Sequence, residues 1–425
     1  MDTSNMLSLE LLNTMMKADV VAIRGKAILK PAGGPSDKVF PPTHSVDETK
    51  VKSRYAFETR RINGNNIECV LLDSVQSQAN RMEEALQNLW KAERIKIPVV
   101  AADFSQFPEV GIVTSLSAPH RISDALLRDS VIEEDSRKIL FRLSTLGKSF
   151  TDATPKNATE LFKVCPTALV FGLWDSTGPK GGLGSKFGRC LVSEIVGINV
   201  QKGVQTSSKI DPTGIVTVPV YRARSPNDGE PAWTTETLEA ATEVSKRNSK
   251  ELDFVKVGDN AKTMGKPSAI NHSNIPPTIT ELTGGVTLDY AEHTVVLSIA
   301  GVRKLGFGGT HDQKVHAVLV ALALLAVLGN EAAGHDLRSR CLLIPEQGKS
   351  LRLVEIDRRC NEKAIELDLD GAILLYIAAV EALPESLKLN IKSQAFATLQ
   401  PSARLIQLIE KSRALSVAGA DGEEV

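Results

Sequence analysis

The apolar positions follow two kinds of pattern. Residues 67–73, IECVLLD, are a short apolar run of strand length; directly after them Val75, Ala79, Met82, Leu86 and Leu89 recur at spacings of three and four. The first predicts a buried strand, and the second a helix that buries one face while Gln78, Asn80, Arg81 and Glu84 point elsewhere. Asp73 or Ser74 can cap that helix, and Pro98 stops it. Strand-like runs return at 167–174 and at 189–200, the second with Ser193 and Glu194 inside it. Residues 286–302 read as a strand, RKLGFGGTHD as a turn, and 315–328 as a strongly apolar helix between Asp312 as cap and Gly329-Asn330 as stop. Short strands follow at 341–345 and 351–356, then helices to about Lys411. Elsewhere the pattern is weaker, with helical pieces expected at 122–127 and 133–140 and an exposed helix over 235–250.

Strand-helix units at both ends, separated by long polar stretches, predict an α+β sheet fold and not a regular β-α-β alternation. No internal repeat is visible. The chain reads as a single elaborated domain over 1–425. Residues 24–66, rich in Pro, Gly, Lys and Arg, are expected as a basic surface-loop insertion. Residues 98–150 and 201–280 form further insertions, 281–360 resume the sheet, 361–413 are C-terminal helices and 414–425 a frayed tail.

Composition narrows the function. With 425 residues, 42% apolar and 24% charged, the chain can bury a large core, which excludes a disordered or fibrous protein. The 50 basic residues nearly balance 51 acidic ones, so any nucleic-acid contact must come from local basic loops on a neutral body. Aromatics at 4% leave little material for a base-stacking platform, which favours backbone contact over base reading. Cys69, Cys165, Cys190, Cys341 and Cys360 are scattered and never form CxxC, so they read as buried thiols in a reducing compartment. The first residues lack a secretory pattern, and the apolar stretch 317–328 is too short to span a bilayer. A cytoplasmic protein with no membrane partner is expected.

Three segments carry candidate chemistry. In GPKGGLGSKFGR (178–189), glycines permit close backbone approach to a phosphate, and Lys180, Lys186 and Arg189 supply charge. It holds no Gly-Lys-Ser/Thr triplet, and its GxGxxxG spacing lacks a following helix, which excludes a P-loop and a dinucleotide fingerprint. A flexible hairpin and a phosphate clamp both stay open. In GVRKLGFGG (301–309), Arg303 and Lys304 precede three glycines and Phe307 at a helix N-terminus that attracts anions; a tight turn would use the same residues. In SAPHRISDA (117–125), His120 beside Arg121 reads as a solvated surface pair. His311 and His316 are five apart, not the i, i+4 of a helical zinc pair, and no GxSxG elbow occurs, so neither metal, cofactor nor nucleophile is expected. Asp103 and Asp124 are retained as remote nuclease candidates.

Together, LLDSVQSQANRMEEAL (71–86), SLSAPHRISDALLRDS (115–130), FGLWDSTGPKGGLGSKFGRCLVSEIVGINV (171–200), TSSKIDPTGI (206–215) and LRSRCLLIP (337–345) resemble one family. It is the backbone subunit of the type I-G (formerly I-U) CRISPR effector complex, Cascade, in the RAMP superfamily, over about 19–345. The resemblance implies an RRM-like, ferredoxin-like palm with insertions as thumb and fingers, 202–232 and 116–138 both being candidates for the thumb. It implies a non-catalytic protein whose copies line up along the CRISPR RNA and present it to target DNA, beside the large subunit and the fused repeat-processing subunit. The RNA contacts it implies are Arg24, Lys26, Arg60, Arg61, Asn80, Arg81, His120, Arg121, Lys180, Lys186, Arg189, Lys209, Arg303, Lys304, Gly306, Phe307, Gly308 and Gly309. Related type III subunits cut target RNA with an acidic loop residue; a cleaving subunit using Asp103 or Asp124 is the alternative, and a nucleotide-dependent enzyme using 178–188 a more distant one.

Overall fold

Strand β1 (Val20–Pro31) alternates strictly: Ile23, Ala27 and Leu29 are buried, while Arg24, Lys26, Ile28 and Lys30 face outwards. That period of two marks a sheet with one covered face. The computed structural model describes residues 7–17, 19–47, 53–175, 185–224, 229–244, 252–258, 264–392 and 394–419. Around β1 assemble β2 (Phe57–Ile62), β3 (Asn65–Asp73), β4 (Leu191–Ile198), β5 (Tyr290–Ser298), β6 (His335–Arg338), β7 (Cys341–Pro345), β8 (Arg352–Asp357) and β9 (Glu362–Ile365). Their order is β2-β3-β4-β5-β1-β7-β6, all antiparallel. The edge of β1 opposite β5 is shared: Val20 to Lys26 pair with β8, and Leu29 to Pro31 with β7, so the sheet forks there.

Four of the helices are α1 (Leu9–Lys17), α2 (Val75–Lys91), α3 (Asp312–Ala333) and α4 (Leu369–Glu381). Ser74 caps α2 by accepting the Ser77 N–H, and the side buried is the one the spacing predicts, with Ala79, Met82, Leu86 and Leu89 inside. α3 is long and apolar enough to cross a membrane by composition, yet 83% of its most apolar window is buried inside the fold. A helix that is apolar all round is a core helix when protein surrounds it. With β2, β3 and β6 set aside as additions, the succession β1, α2, β4, β5, α3, β7, in spatial order β4-β5-β1-β7, is a β-α-β-β-α-β arrangement. The α+β expectation holds.

Several local expectations give way to tertiary structure. Residues 24–31, expected within a loop, belong to the central strand; their Lys and Arg occupy the open face. Residues 167–174 divide into a buried helix, Pro166–Phe171, and a two-residue strand, Leu173–Trp174, because Pro166 opens a helical turn and an apolar run of this length does not separate helix from strand. Residues 133–140 belong to a hairpin, Ser130–Glu134 with Arg137–Leu140, turned by Asp135 and Ser136 with φ of 50 and 60°. No helix occupies the described part of 235–250; Thr242–Val244 pairs with Leu252–Phe254 instead. At 286–302, strand stops at Ser298, whose hydroxyl accepts the Gly301 N–H and starts a helical turn. The C-terminal helix Ala403–Gly419 runs beyond its expected end, and strand Ala397–Pro401 interrupts the supposed helical region.

The chain forms two units, Met1–Gly203 with Leu282–Ser402, and Val204–Glu281 with Ala403–Val425. The first also holds a five-stranded sheet in the order Gly111–Thr114, Val100–Phe104, Ala397–Pro401, Ser130–Glu134, Arg137–Leu140. The second contains short strand pairs, the longest joining Gln205–Lys209 to Ile275–Thr280, and leaves Ile210, Val216 and Ile279 largely exposed.

Candidate nucleic-acid interface

Residues distant in sequence converge on a cleft of about 720 Å³. The α2 surface contributes Gln76 and Asn80, the 119–128 segment contributes His120 and Arg121, and the strand pair Leu173–Trp174 and Lys186–Phe187 supplies Trp174, Lys186 and, just beyond, Arg189. Trp174 is 60% exposed, with the Lys186 ammonium 5.3 Å from its ring centre. An exposed indole flanked by a cation offers a surface on which a planar ring can stack. Among the described residues no carboxylate pairs with Lys186, Arg189 or His120. Arg189 spends one N–H on the Phe171 carbonyl at 3.2 Å. Burial, together with the nearby Arg121 charge, lowers its pKa, while the Glu83 carboxylate acts in the opposite direction.

Arg121 is not the solvated residue expected. It is buried, with Nε and Nη2 each 2.7 Å from the two oxygens of buried Glu83, and Nη1 3.1 Å from the Gly172 carbonyl. Its φ of 54° is uncommon for a non-glycine residue and is held by this bidentate pair. Burial pushes the Glu83 carboxyl up, against the opposing pull of Arg121. The partner sits on α2, which no local pattern around 117–125 reveals. Arg121 therefore forms the floor of the cleft, while His120, Lys186, Arg189 and Trp174 are its exposed groups. Trp174 was not singled out in the sequence; a tryptophan next to a basic glycine-rich loop was the available signal. Lys180 lies outside the described residues.

The other predicted cations are distributed. On the open sheet face Arg24 pairs with Glu362, Lys26 with Glu292, and Arg60 with Glu58 and Glu194. These half-exposed pairs are each worth little, about 0–1 kcal/mol, so a phosphate can compete for them. Arg61 is exposed on β2 without a carboxylate partner among the described residues. Arg81 is tied to the fully buried carboxylate of Asp73 at 3.0 Å and to the Leu337 carbonyl. Lys209, in the smaller unit, donates to the Asn271 carbonyl.

The 301–309 loop is occupied internally. Arg303 donates to the carbonyls of Met15, Met16 and Val20, at 3.1, 3.1 and 2.7 Å, and so satisfies the end of α1. Phe307 is buried, edge-on to Phe162 and to His316. Gly306 packs against the backbone, where a Cβ would lie 2.5 Å from the Lys156 carbonyl oxygen. Gly308 and Gly309 have φ of 94 and 93° and open space around them, and Asp312 holds the turn by accepting the N–H groups of Phe307 and Gly309. Asp312 thus braces the loop and is not the helix cap. Lys304 alone among the cations of this loop is exposed and lacks a carboxylate partner among the described residues. Of the acidic candidates, Asp124 caps the turn Ala125–Arg128 through the Leu126 N–H, and half-buried Asp103 accepts from the Ser105 N–H; hydrogen bonding from the Ser105 side chain first, then from its backbone, lowers the Asp103 pKa.

Residues 23–202, which include every residue lining the cleft, match the model of a family described as CRISPR-associated protein GSU0053 (Cas_GSU0053). This stretch of the chain is therefore similar to a CRISPR-associated family. No curated protein matches the chain. A chain from a solved structure entitled "Type IV-B CRISPR Complex" is 11% identical, over 82% of this chain and 96% of that one, with a TM-score of 0.20, a likeness too low to carry any argument.

Proposed function

We propose that this chain is a non-catalytic, intracellular backbone subunit of a type I-G CRISPR effector complex, holding CRISPR RNA by its backbone while copies of the chain repeat along the strand. The observation that carries this reading is the cleft: exposed Lys186, Arg189, His120 and Trp174 stand together, their side chains in no ion pair among the described residues, inside the stretch similar to a CRISPR-associated family. Cations without acid partners lose little by pairing with phosphates, and one exposed indole permits a base to stack without being read. The β-α-β-β-α-β arrangement suits an RRM-like palm, and the separate Val204–Glu281 unit suits a thumb better than 116–138, where Leu116, Ile122 and Leu127 are buried in the larger unit. Sequence specificity would then belong to the guide pairing with target DNA, beside the large subunit and the fused repeat-processing subunit.

The test is to purify the chain, add CRISPR RNAs of unrelated spacer sequence, and weigh the complexes. Several copies per RNA, with affinities alike within about 10-fold, are expected. A monomer that binds no RNA, or divalent-metal-dependent cleavage of a target RNA, would overturn the reading.

A further inference from the structure

Beneath the sheet runs a buried series of polar groups whose proton positions can be deduced in turn. The Asp73 carboxylate, ion-paired to Arg81 and Arg338, accepts from Gln78 Nε2 at 2.7 Å, which orients the Gln78 amide and turns its Oε1 towards Ser193. Ser193 donates its single hydroxyl proton to that oxygen at 3.0 Å. At 2.8 Å from His293 Nε2 it can therefore only accept, so His293 carries its ring proton on Nε2. The other ring nitrogen, Nδ1, faces Glu331 Oε1 at 3.0 Å, and His335 Nε2 lies 3.5 Å from the same oxygen. His293 and His335 are 1% and 3% exposed, and none of these three buried atoms makes a hydrogen bond.

Three ligand atoms brought together in a buried site without hydrogen bonds are the donor set of a cation. We propose that His293, Glu331 and His335 form a buried binding site for a divalent transition metal, with Zn²⁺ as its natural occupant. The three donor atoms lie within 4.8 Å of one another. Ligands at about 2.0–2.1 Å in a tetrahedron stand about 3.3 Å apart, between the two separations found here. Two imidazoles with one carboxylate select a borderline metal over Mg²⁺ or Ca²⁺, which take oxygen ligands. The Ser193-Gln78-Asp73 series orients His293 from behind, as the outer partners of metal-bound histidines do. Burial shuts out substrate, so the role is structural: the ion joins β5 to the end of α3 and the start of β6. A proton on His293 Nδ1 is the rival cation, and it would require hydrogen-bond geometry that these atoms do not have.

The full chain, dialysed against metal-free buffer, should retain about one zinc per molecule by mass spectrometry of the elements, falling below about one tenth in His293→Ala and in His335→Ala. Because either variant can fold poorly, Co²⁺ is added to chelator-stripped wild-type protein as a second measurement. Intense visible bands of four-coordinate cobalt and a raised melting temperature are expected. Ser193→Ala should weaken zinc binding about 10–100-fold through the loss of the outer partner. No bound metal together with no response to Zn²⁺ or Co²⁺ would overturn the site, as would zinc retained in folded forms of both histidine variants.

Discussion

Lys186 and Arg189 stand on a cleft wall beside an exposed tryptophan, whereas Arg303, in a segment of nearly the same composition, is held inside the fold. Both segments combine glycines with closely spaced cations. The difference lies in what each meets. A helix end leaves carbonyls without partners, and Arg303 fills that need at α1. Beside the strand pair carrying Trp174 and Lys186, Arg189 meets one carbonyl, that of Phe171, and Lys186 stays exposed at the surface. A basic glycine-rich segment keeps its cations at the surface only where the surrounding backbone has no use for its donors.

The sharpest way to break this comparison is at the cleft floor. Arg121→Ala should destabilise the protein by about 3–5 kcal/mol in urea unfolding, because Glu83 would remain buried without its partner. A stable Arg121→Ala protein that lost only RNA affinity would move Arg121 from the floor to the binding surface. Next, Arg303→Ala should cost about 2 kcal/mol of stability through the carbonyls left unsatisfied, with RNA affinity unchanged in the folded protein. The opposite pattern would make the two segments equivalent. Lys186→Ala with Arg189→Ala should weaken RNA binding about 10–100-fold, near 1.4–2.7 kcal/mol, and lower the salt slope by about 1.4 for two lost phosphate contacts. Its melting temperature should move less than that of Arg303→Ala. Trp174→Ala should weaken RNA binding by about 1–2 kcal/mol while Trp174→Phe retains most of it, as titration with fluorescent RNA would show.

The smallest effect concerns pH at the 301–309 loop. Burial holds the His316 pKa below its ordinary 6.5 while Nε2 donates to the Leu305 carbonyl. Below 6.5 the unfolded chain takes up a proton that the folded one refuses, so this residue's contribution to stability is present above 6.5 and is lost as pH falls. The stability difference between wild type and His316→Gln should therefore shrink from pH 7.5 to pH 5.5 in paired urea titrations. An unchanged difference would mean that the loop does not depend on a neutral His316.

The parts of the molecule that local pattern decides were legible in advance. The spacing from Val75 to Leu89 specified a helix and its buried face, the 315–328 run specified a core helix, and Cys341–Pro345 was readable as a strand to the residue. Each depends on periodicity over a few turns or on burial of a short run, which the side chains themselves encode. Four of the five cysteines are buried as expected, and Cys360 is exposed. Residues 24–31 form a strand despite the Pro and Gly farther along the segment, because their alternation places Ala27 and Leu29 in the core.

Tertiary structure decided the commitment of each charged group. Nothing near Arg121 announces Glu83, nothing near Arg303 announces the end of α1, and His293 meets Glu331 and His335 only because β5 and the end of α3 pack together. An ion pair or hydrogen bond forms wherever partners are brought within about 3 Å, whatever their separation in the chain. The sequence supplied the cations and the glycines, and packing determined which cations were left free.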